Sequence, residues 1–549
     1  MLPPLFLGLD LSTQQLKASI IDEAENLLYE EYIHFDSDLP HHGTQNGAHY
    51  GDREGEVTCP VVVWLEAMDV LFDRLTEKHS VDFGRVLAVS GAAQQHGSVY
   101  WNAKGVEVLG KLDKSKGLVD QLEGGFSLEQ APLWMDSSTT KECRELEEAV
   151  GGAQNLADRT GSRAYERFTA SQIKRLYDYD RSTYDKTSRI SLISSFVASL
   201  FLGKVAPIEI ADASGMNLMD IISGNWDLEL LKLCGGDELK EKIGEQPVGG
   251  GTNLGTVAKW WVERYGFNED CIVAPFTGDN PSSIVSLSSP GDAILSLGTS
   301  TTLLVSIPPS PDPPLCTTNS HMLAHPTAPG GHIAMLCYKN GDLARKSVKD
   351  QHYGGSWEQF DQSIKSTSSG NDGYLRFYFP MKEIIPDGVI GEFGFKAAGK
   401  LVEGEGGEFK PSYSRAICET QLLSIKSRLH RILPHSIGHL HRCIVTGGAS
   451  ANETILHLVA DVLDLPVYVA ATSASATIGG GLLAQFAWWK ATKEGKKDKT
   501  FEEMREEVGA TKSLKKVLDP RKHESEIYDA ILPVYEECED KIIEICKSK

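Results

Sequence analysis

No stretch of this chain approaches the ~20 consecutive apolar residues that a membrane-spanning helix needs. Basic residues are also in deficit: 54 Lys and Arg face 76 Asp and Glu, a formal net charge of -22. A surface of that sign repels phosphate backbones and anionic headgroups at long range, which argues against a nucleic-acid or membrane partner. It does not exclude ATP, which is held locally by backbone amides and a divalent cation. Cysteine is sparse. Ten residues are scattered between Cys59 and Cys546, and no two have zinc-finger or thioredoxin spacing. Such thiols read as reduced core residues and imply a cytoplasmic location. The first residues are apolar but carry no basic lead, so they read as a strand and not as a leader peptide.

What is present is the composition of an ordinary globular protein, 41% apolar and 24% charged, in a chain of 549 residues that is too long for one core. Residues 5–10, 16–22 and 26–32 have the pattern of strands joined by short polar turns. A helical period follows at Trp64, Leu65, Met68, Leu71, Phe72 and Leu75, with Pro60 suited to the first turn. Residues 85–90 then form a short strand of buried type. The pattern recurs later: residues 293–297 and 302–307 are strands about the turn Gly298-Thr299-Ser300-Thr301, and residues 442–446 lead through Gly447-Gly448 into a helix over 452–463. Alternating strands and helices indicate an α/β fold of mixed, helix-covered sheets. Two similar halves imply a duplication about a cleft, divided as residues 1–285 and 286–549. Residues 308–314 carry five prolines and exclude a central strand. The Gly- and Glu-rich stretch 399–410 reads as a loop, and the charged stretch 491–526 as solvated surface helices.

Three turns have chemistry to offer. In Asp10-Leu11-Ser12-Thr13-Gln14-Gln15-Leu16-Lys17 a carboxylate at a strand end precedes small hydroxyl residues, which can surround phosphate oxygens. The carboxylate needs a magnesium ion, or its water, between itself and phosphate. Taken alone, the segment reads equally as an ordinary hairpin. Gly298-Thr299-Ser300 lets the backbone approach a phosphate closely and adds hydroxyl donors, although most such turns are only turns. Gly447-Gly448-Ala449-Ser450-Ala451-Asn452 sits between a strand and a helix, where small residues let a planar base lie against the backbone; a lone Gly-Gly pair often does no more than close the turn.

Together, and in this order, these segments resemble the FGGY carbohydrate kinases. The resemblance rests on Gly8-Leu9-Asp10-Leu11-Ser12-Thr13, Phe276-Thr277-Gly278-Asp279-Asn280, Leu297-Gly298-Thr299-Ser300 and Thr446-Gly447-Gly448-Ala449. It covers nearly the whole chain and implies two actin/ribonuclease-H-like domains, sugar-binding first and nucleotide-binding second. One departure is Ser12, where the family usually carries glycine. By position, Asp279 matches the general base, Asp10 the residue near magnesium and the β- and γ-phosphates, and Thr13, Lys17, Gly298, Thr299 and Ser300 the phosphate loops. Gly447, Gly448, Ala449 and Asn452 match the adenosine side. Trp357 offers an indole face for the base or its sugar, with burial in a core as the plain alternative.

Gln94-Gln95-His96-Gly97 and Gly161-Ser162-Arg163-Ala164-Tyr165-Glu166-Arg167-Phe168 resemble the xylulose kinases of that family, which implies His96, Arg167, Asp279 and Asn280 around D-xylulose. A guanidinium suits a polyol because its donors are fixed in a fork. Without the resemblance, His96 reads as a packing residue and Arg167 as a partner of Glu166 or another acid. Asp136, in Leu133-Trp134-Met135-Asp136, is a further candidate near the sugar. The implied reaction is ATP-dependent phosphorylation of D-xylulose. D-ribulose, L-xylulose or another polyol as acceptor stays open, as do an actin-like ATPase without acceptor and a silent sugar-binding regulator. The oligomeric state is left open. His430, His435, His439 and His441 crowd one stretch, but Pro434 interrupts it and the spacing suits no single helix face, so no metal site is expected there or at His41-His42.

Overall fold

The computed structural model describes residues 3–396, 399–401, 412–434, 439–470, 474–509 and 514–548. In the first half, apolar runs build β1 (Leu5–Leu11), β2 (Gln15–Asp22) and β3 (Leu27–His34). Helix α1 (Val61–Glu77) starts after Pro60 and buries Trp64, Leu65, Met68, Leu71, Phe72 and Leu75, the face its period requires. β4 (Val86–Ala93) follows. Further along lie helix α2 (Thr169–Tyr179) and α3 (Ile193–Leu202), which is buried along its whole length. Two short strands, β5 (Ile272–Val273) and β6 (Thr277–Gly278), lead into α4 (Asp279–Leu287). The sheet order is β5-β4-β1-β2-β3, with β6 also pairing to β4. β1 is antiparallel to β2 and parallel to β4.

The second half repeats this plan. Among its elements are β7 (Asp292–Leu297), β8 (Thr301–Ile307), β9 (His321–Ala324), β10 (His332–Tyr338), α5 (Trp357–Lys365), α6 (Tyr413–Ile432), β11 (Arg442–Thr446), α7 (Glu453–Leu463) and β12 (Val467–Ala470). After them come α8 (Ser475–Thr492), α9 (Phe501–Glu507), β13 (Leu514–Leu518) and α10 (Lys522–Lys547). The order is β9-β10-β8-β7-β11-β12-β13. β7 is antiparallel to β8 and parallel to β11, as β1 is to β2 and β4. The duplication expected from the two hairpins is therefore present in strand order and direction. It brings the turn after β1 and the turn after β7 to equivalent places.

Two features differ from the expected pattern. Helix α8 returns to the first half and lies on its sheet: Leu482, Leu483 and Phe486 share a core with Phe6, Ile21 and Ala88. The approach is close enough that a Cβ on Gly480 would stand 2.5 Å from the Gly91 Cα, and one on Gly8 1.9 Å from the Thr477 carbonyl. The charged stretch 491–526 is not simply solvated helix. Phe501 and Met504 of α9 join that same core, and β13 pairs antiparallel with β12 to extend the second sheet. Residues 285 and 286 both lie within α4. Residues 308–314 hold no strand, and 402–410 of the expected Gly- and Glu-rich loop lie outside the described residues. Among the described residues no helix is long and apolar enough to cross a membrane.

Candidate active site

The first turn is closed by Ser12, whose amide and hydroxyl both donate to the Gln15 carbonyl at 3.0 Å. Ser12 is not among the residues with a left-handed backbone, so the turn forms without the glycine that the family usually carries there. Asp10, next to last in β1, stands opposite Lys17, and its Oδ1 is buried with no hydrogen-bond partner among the described residues. Burial, reinforced by the charge of Asp279, pushes the Asp10 carboxyl up to about 7; Lys17 opposes the shift. Lys17 itself pairs with Glu30 on β3 at 2.9 Å. The Thr13 hydroxyl accepts from the Trp134 indole at 2.9 Å, which ties an exposed aromatic to the phosphate turn.

Asp279 is the first residue of α4, directly after β6. Pairing of Thr277 and Gly278 with Ala92 and Ala93 sets it beside the exit of β4. Its Oδ1 accepts from the Asn280 amide at 2.8 Å and from Asn280 Nδ2 at 3.2 Å, and Asn280 Nδ2 also donates to Gln95 Oε1 at 3.1 Å. Burial raises the Asp279 carboxyl to about 6. Two further acids lie behind it. Glu209 accepts from the Thr277 hydroxyl at 2.6 Å, and Asp212 accepts from Ser194. Burial lifts them to about 7 and about 8, and the charges of Glu209 and Asp279 add to the shift on Asp212.

His96 follows β4 with φ 72°, a strained backbone for a residue with a side chain. Its Nδ1 sits 2.8 Å from the Gly215 carbonyl and must donate to it, leaving Nε2 as an acceptor. The ring stacks on Phe168 at 4.3 Å between centroids. Burial and the charge of Arg167 hold its pKa down at about 3, so it is neutral. The Arg167 guanidinium lies 4.7 Å from the Tyr165 ring centre, and no carboxylate pairs with it among the described residues. Glu166 accepts from Thr140 instead. Arg167 donates across to His321 Nε2 at 3.0 Å. Arg167 and Trp134 line a cavity of about 510 Å³ together with Ser300 from the second half. Asp136 lines the same cavity and uses both oxygens on protein donors, namely the Val57 amide, the Ser138 amide and hydroxyl, and Gln172.

A second cavity, of about 690 Å³, is lined by Gly298, Thr299, Trp357, Asp361, Gly448, Ala449 and Asn452. The second turn is fastened from behind by Asp342 and Gly341, whose amides donate to the Gly298 and Thr299 carbonyls at 2.9 and 3.1 Å. Gly447 has φ 83°, and a Cβ there would meet the Leu297 carbonyl at 2.7 Å, so only glycine fits. Asn452 caps α7 through the Ile455 amide and donates to both Asp361 oxygens at 3.0 Å, joining α7 to α5 along one wall. Trp357 is 36% exposed and stands edge-on to Phe360.

Of the residues expected from sequence, Gly298, Thr299, Trp357, Gly448, Ala449 and Asn452 share one cavity, Arg167 and Ser300 another, and Asp10 and Asp279 lie close enough for their charges to interact, while Lys17 is engaged by Glu30 and the Asn452 side chain is used within the wall. Sequence reasoning missed His321, Asp361, Glu209 and Asp212, which carry no motif, and gave Gln95 no role. His430 lies in the last turn of α6, and the His441 amide donates to Gly291; His435 is outside the described residues. Among the described residues the one cluster with metal-ligand geometry is His41, His42 and Glu66, whose imidazoles bond to a single carboxylate oxygen at 2.9 and 2.7 Å.

Comparison with known proteins agrees with this layout. Residues 5–286 match the N-terminal domain of the FGGY family of carbohydrate kinases, and residues 293–488 match its C-terminal domain. A mouse xylulose kinase is 40% identical over 544 residues, covering 98% of this chain and 94% of the mouse one. Xylulose kinase 2 of Arabidopsis thaliana is 42% identical over 501 residues, 89% of this chain and 88% of its own. The solved xylulose kinase of Rhodospirillum rubrum superposes with a TM-score of 0.77 at 15% identity, covering 99% of this chain and all of its own, which extends the likeness in fold far beyond the likeness in sequence. The duplicated sheets, the paired turns and both domain matches lead to one assignment: the chain belongs to the FGGY family of carbohydrate kinases.

Proposed function

We propose that this carbohydrate kinase transfers the γ-phosphoryl group of ATP to the C5 hydroxyl of D-xylulose, giving D-xylulose 5-phosphate and ADP. The observation that carries the reading is Asp279, a buried carboxylate raised to about 6 that begins α4 beside Gln95 and Asn280. The relatives of about 40% identity that are named for xylulose support the choice of sugar.

His96, Arg167, Asp279 and Asn280 hold the sugar. Asp279 accepts the C5 hydroxyl proton as that oxygen bonds to the γ-phosphorus; the bond from phosphorus to the bridging oxygen breaks, and ADP leaves with the electron pair. The proton then passes to solvent. Thr13, Gly298, Thr299 and Ser300 meet the phosphates, and Trp357, Gly447, Gly448, Ala449 and Asn452 form the nucleoside wall. The unpartnered oxygen of Asp10 is a hard donor of the kind that suits magnesium, with Lys17 in range as a countercharge. When bound there, the ion would supply charge neutralisation at the β- and γ-phosphates. In this reading residues 1–285 are the sugar half and 286–549 the nucleotide half, with α8 of the second resting on the sheet of the first. The ten free cysteines fit a reducing, cytoplasmic setting.

The test is ADP formation with D-xylulose, D-ribulose and L-xylulose. kcat/KM should be highest for D-xylulose, by about tenfold or more if buried polar groups read one hydroxyl's configuration. A preference for either other sugar would refute the choice of acceptor.

A further inference from the structure

His321 is a buried imidazole, 4% exposed, on the edge strand of the second sheet, yet among the described residues both hydrogen-bond partners of its ring belong to the first half. Its Nε2 lies 3.0 Å from Arg167 Nη2 and its Nδ1 3.1 Å from Ser162 Oγ. A guanidinium can only donate, so Nε2 is the acceptor and Nδ1 carries the hydrogen that goes to Ser162. The ring is boxed in by Tyr165 at 4.7 Å and Phe168 at 5.5 Å, the same aromatics that face Arg167. Burial and the Arg167 charge press its pKa well below the ordinary value, which keeps the acceptor lone pair available.

The strand that carries it is seated firmly on the first half. The Met322 amide donates to the Gly161 carbonyl at 2.8 Å, the Ala324 amide to Ser214 Oγ at 2.9 Å, and the Tyr165 hydroxyl to the Thr318 carbonyl at 3.3 Å. From β9 the connection runs through β10, by His321 opposite Met335, to β8, by Tyr338 opposite Thr301, the residue after Ser300. Arg167 and Ser300 line one cavity.

We propose that His321 is a positioning residue for the acceptor site: an imidazole contributed by the nucleotide half that fixes the Arg167 guanidinium in the orientation that binds the sugar. Arg167 has two aromatic faces but, among the described residues, no carboxylate to orient it, and a planar fork that turns freely would lose its hydrogen-bond geometry. His321 supplies the missing direction. The inference rests on the reading of Arg167 as a sugar-binding residue.

Steady-state kinetics of His321→Leu, His321→Asn, His321→Gln, Arg167→Met and the Arg167→Met/His321→Leu pair, with D-xylulose and ATP varied separately, test it. His321→Leu and His321→Asn should raise KM for D-xylulose about tenfold, the size expected for a lost hydrogen bond to a charged group, with KM for ATP unchanged. The longer side-chain amide introduced by His321→Gln places its oxygen where Nε2 stands and should restore KM to within about threefold of wild type. The double variant should be no worse than Arg167→Met alone. Should the leucine variant fail to fold, the contrast between His321→Asn and His321→Gln carries the same information. If Arg167→Met raises KM while both His321→Leu and His321→Asn leave it unchanged, or if His321→Gln is no better than His321→Asn, the positioning role is overturned and the sugar site stands. If Arg167→Met itself has no effect, the reading of the sugar site fails and this inference falls with it.

Discussion

Asp279 sits where two tendencies oppose each other. The start of a helix favours an anion, and its own helix amides donate to it. Burial works against ionisation and wins, leaving the carboxyl at about 6. The acids that face it, Asp10 and Asp212, are themselves raised, in part by its charge. A general base must be ionised to act, so kcat/KM should fall about tenfold per pH unit below about 6 and level off above it. The stability term has the opposite sign: the folded chain holds this proton to a higher pH than the unfolded chain does, so the contribution is largest at acid pH and is lost as pH rises through about 6. A pH profile of kcat/KM over about pH 5 to pH 8 checks the first statement, and a flat profile would contradict it. His96 and Arg167 were legible only by resemblance, because nothing local in the sequence announces the left-handed backbone of the one or the lack of an acidic partner for the other. Ser12 departs from the family pattern, and its hydroxyl and amide close the turn.

The elements that the sequence declared most clearly are those whose burial is one-sided or whose turns need a particular residue. Helix α1 shows a plain apolar stripe, and β11 with Gly447 shows a strand, a left-handed glycine and a helix cap in order. Helix α8 is different. Gly479, Gly480 and Gly481 run through its centre and most of its length is buried, so there is no stripe to read; its partner surface is β1 and β4, far away in the chain. β13 was hidden by its charge, since Lys515 and Lys516 are exposed on an edge strand, where charge protects the edge. The Gly480 contact yields a prediction. Gly480→Leu improves intrinsic helix propensity but drives a side chain into the Gly91 backbone, so it should destabilise by about 2 kcal/mol or more despite that gain. Thermal or denaturant unfolding measures it; unchanged or increased stability would mean that the close seating of α8 on β1 and β4 is not required. Those strands lead to Asp10 and to Gln95 and His96, so kcat/KM should fall in the same variant.

At the scale of the whole molecule, one plan is used twice, and in the proposed reading each copy contributes a turn to one cleft. The first copy brings Asp10 and Thr13 and the second brings Gly298, Thr299 and Ser300, while Asp279 starts the helix that joins them. Ser300 and Arg167 line one cavity although they belong to different halves, and β9 bonds directly to the sugar-side segment. An acceptor enclosed between two halves is protected from water, which otherwise competes for the phosphoryl group. In the proposed mechanism phosphoryl transfer is thereby tied to the sugar and to Asp279. Rates of ADP release with and without D-xylulose, for wild type and Asp279→Asn, test this most directly. Wild type should release ADP rapidly only with the sugar, and Asp279→Asn should lower kcat by ~10²–10⁴. Equal rates with and without sugar, or full activity in Asp279→Asn, would contradict it.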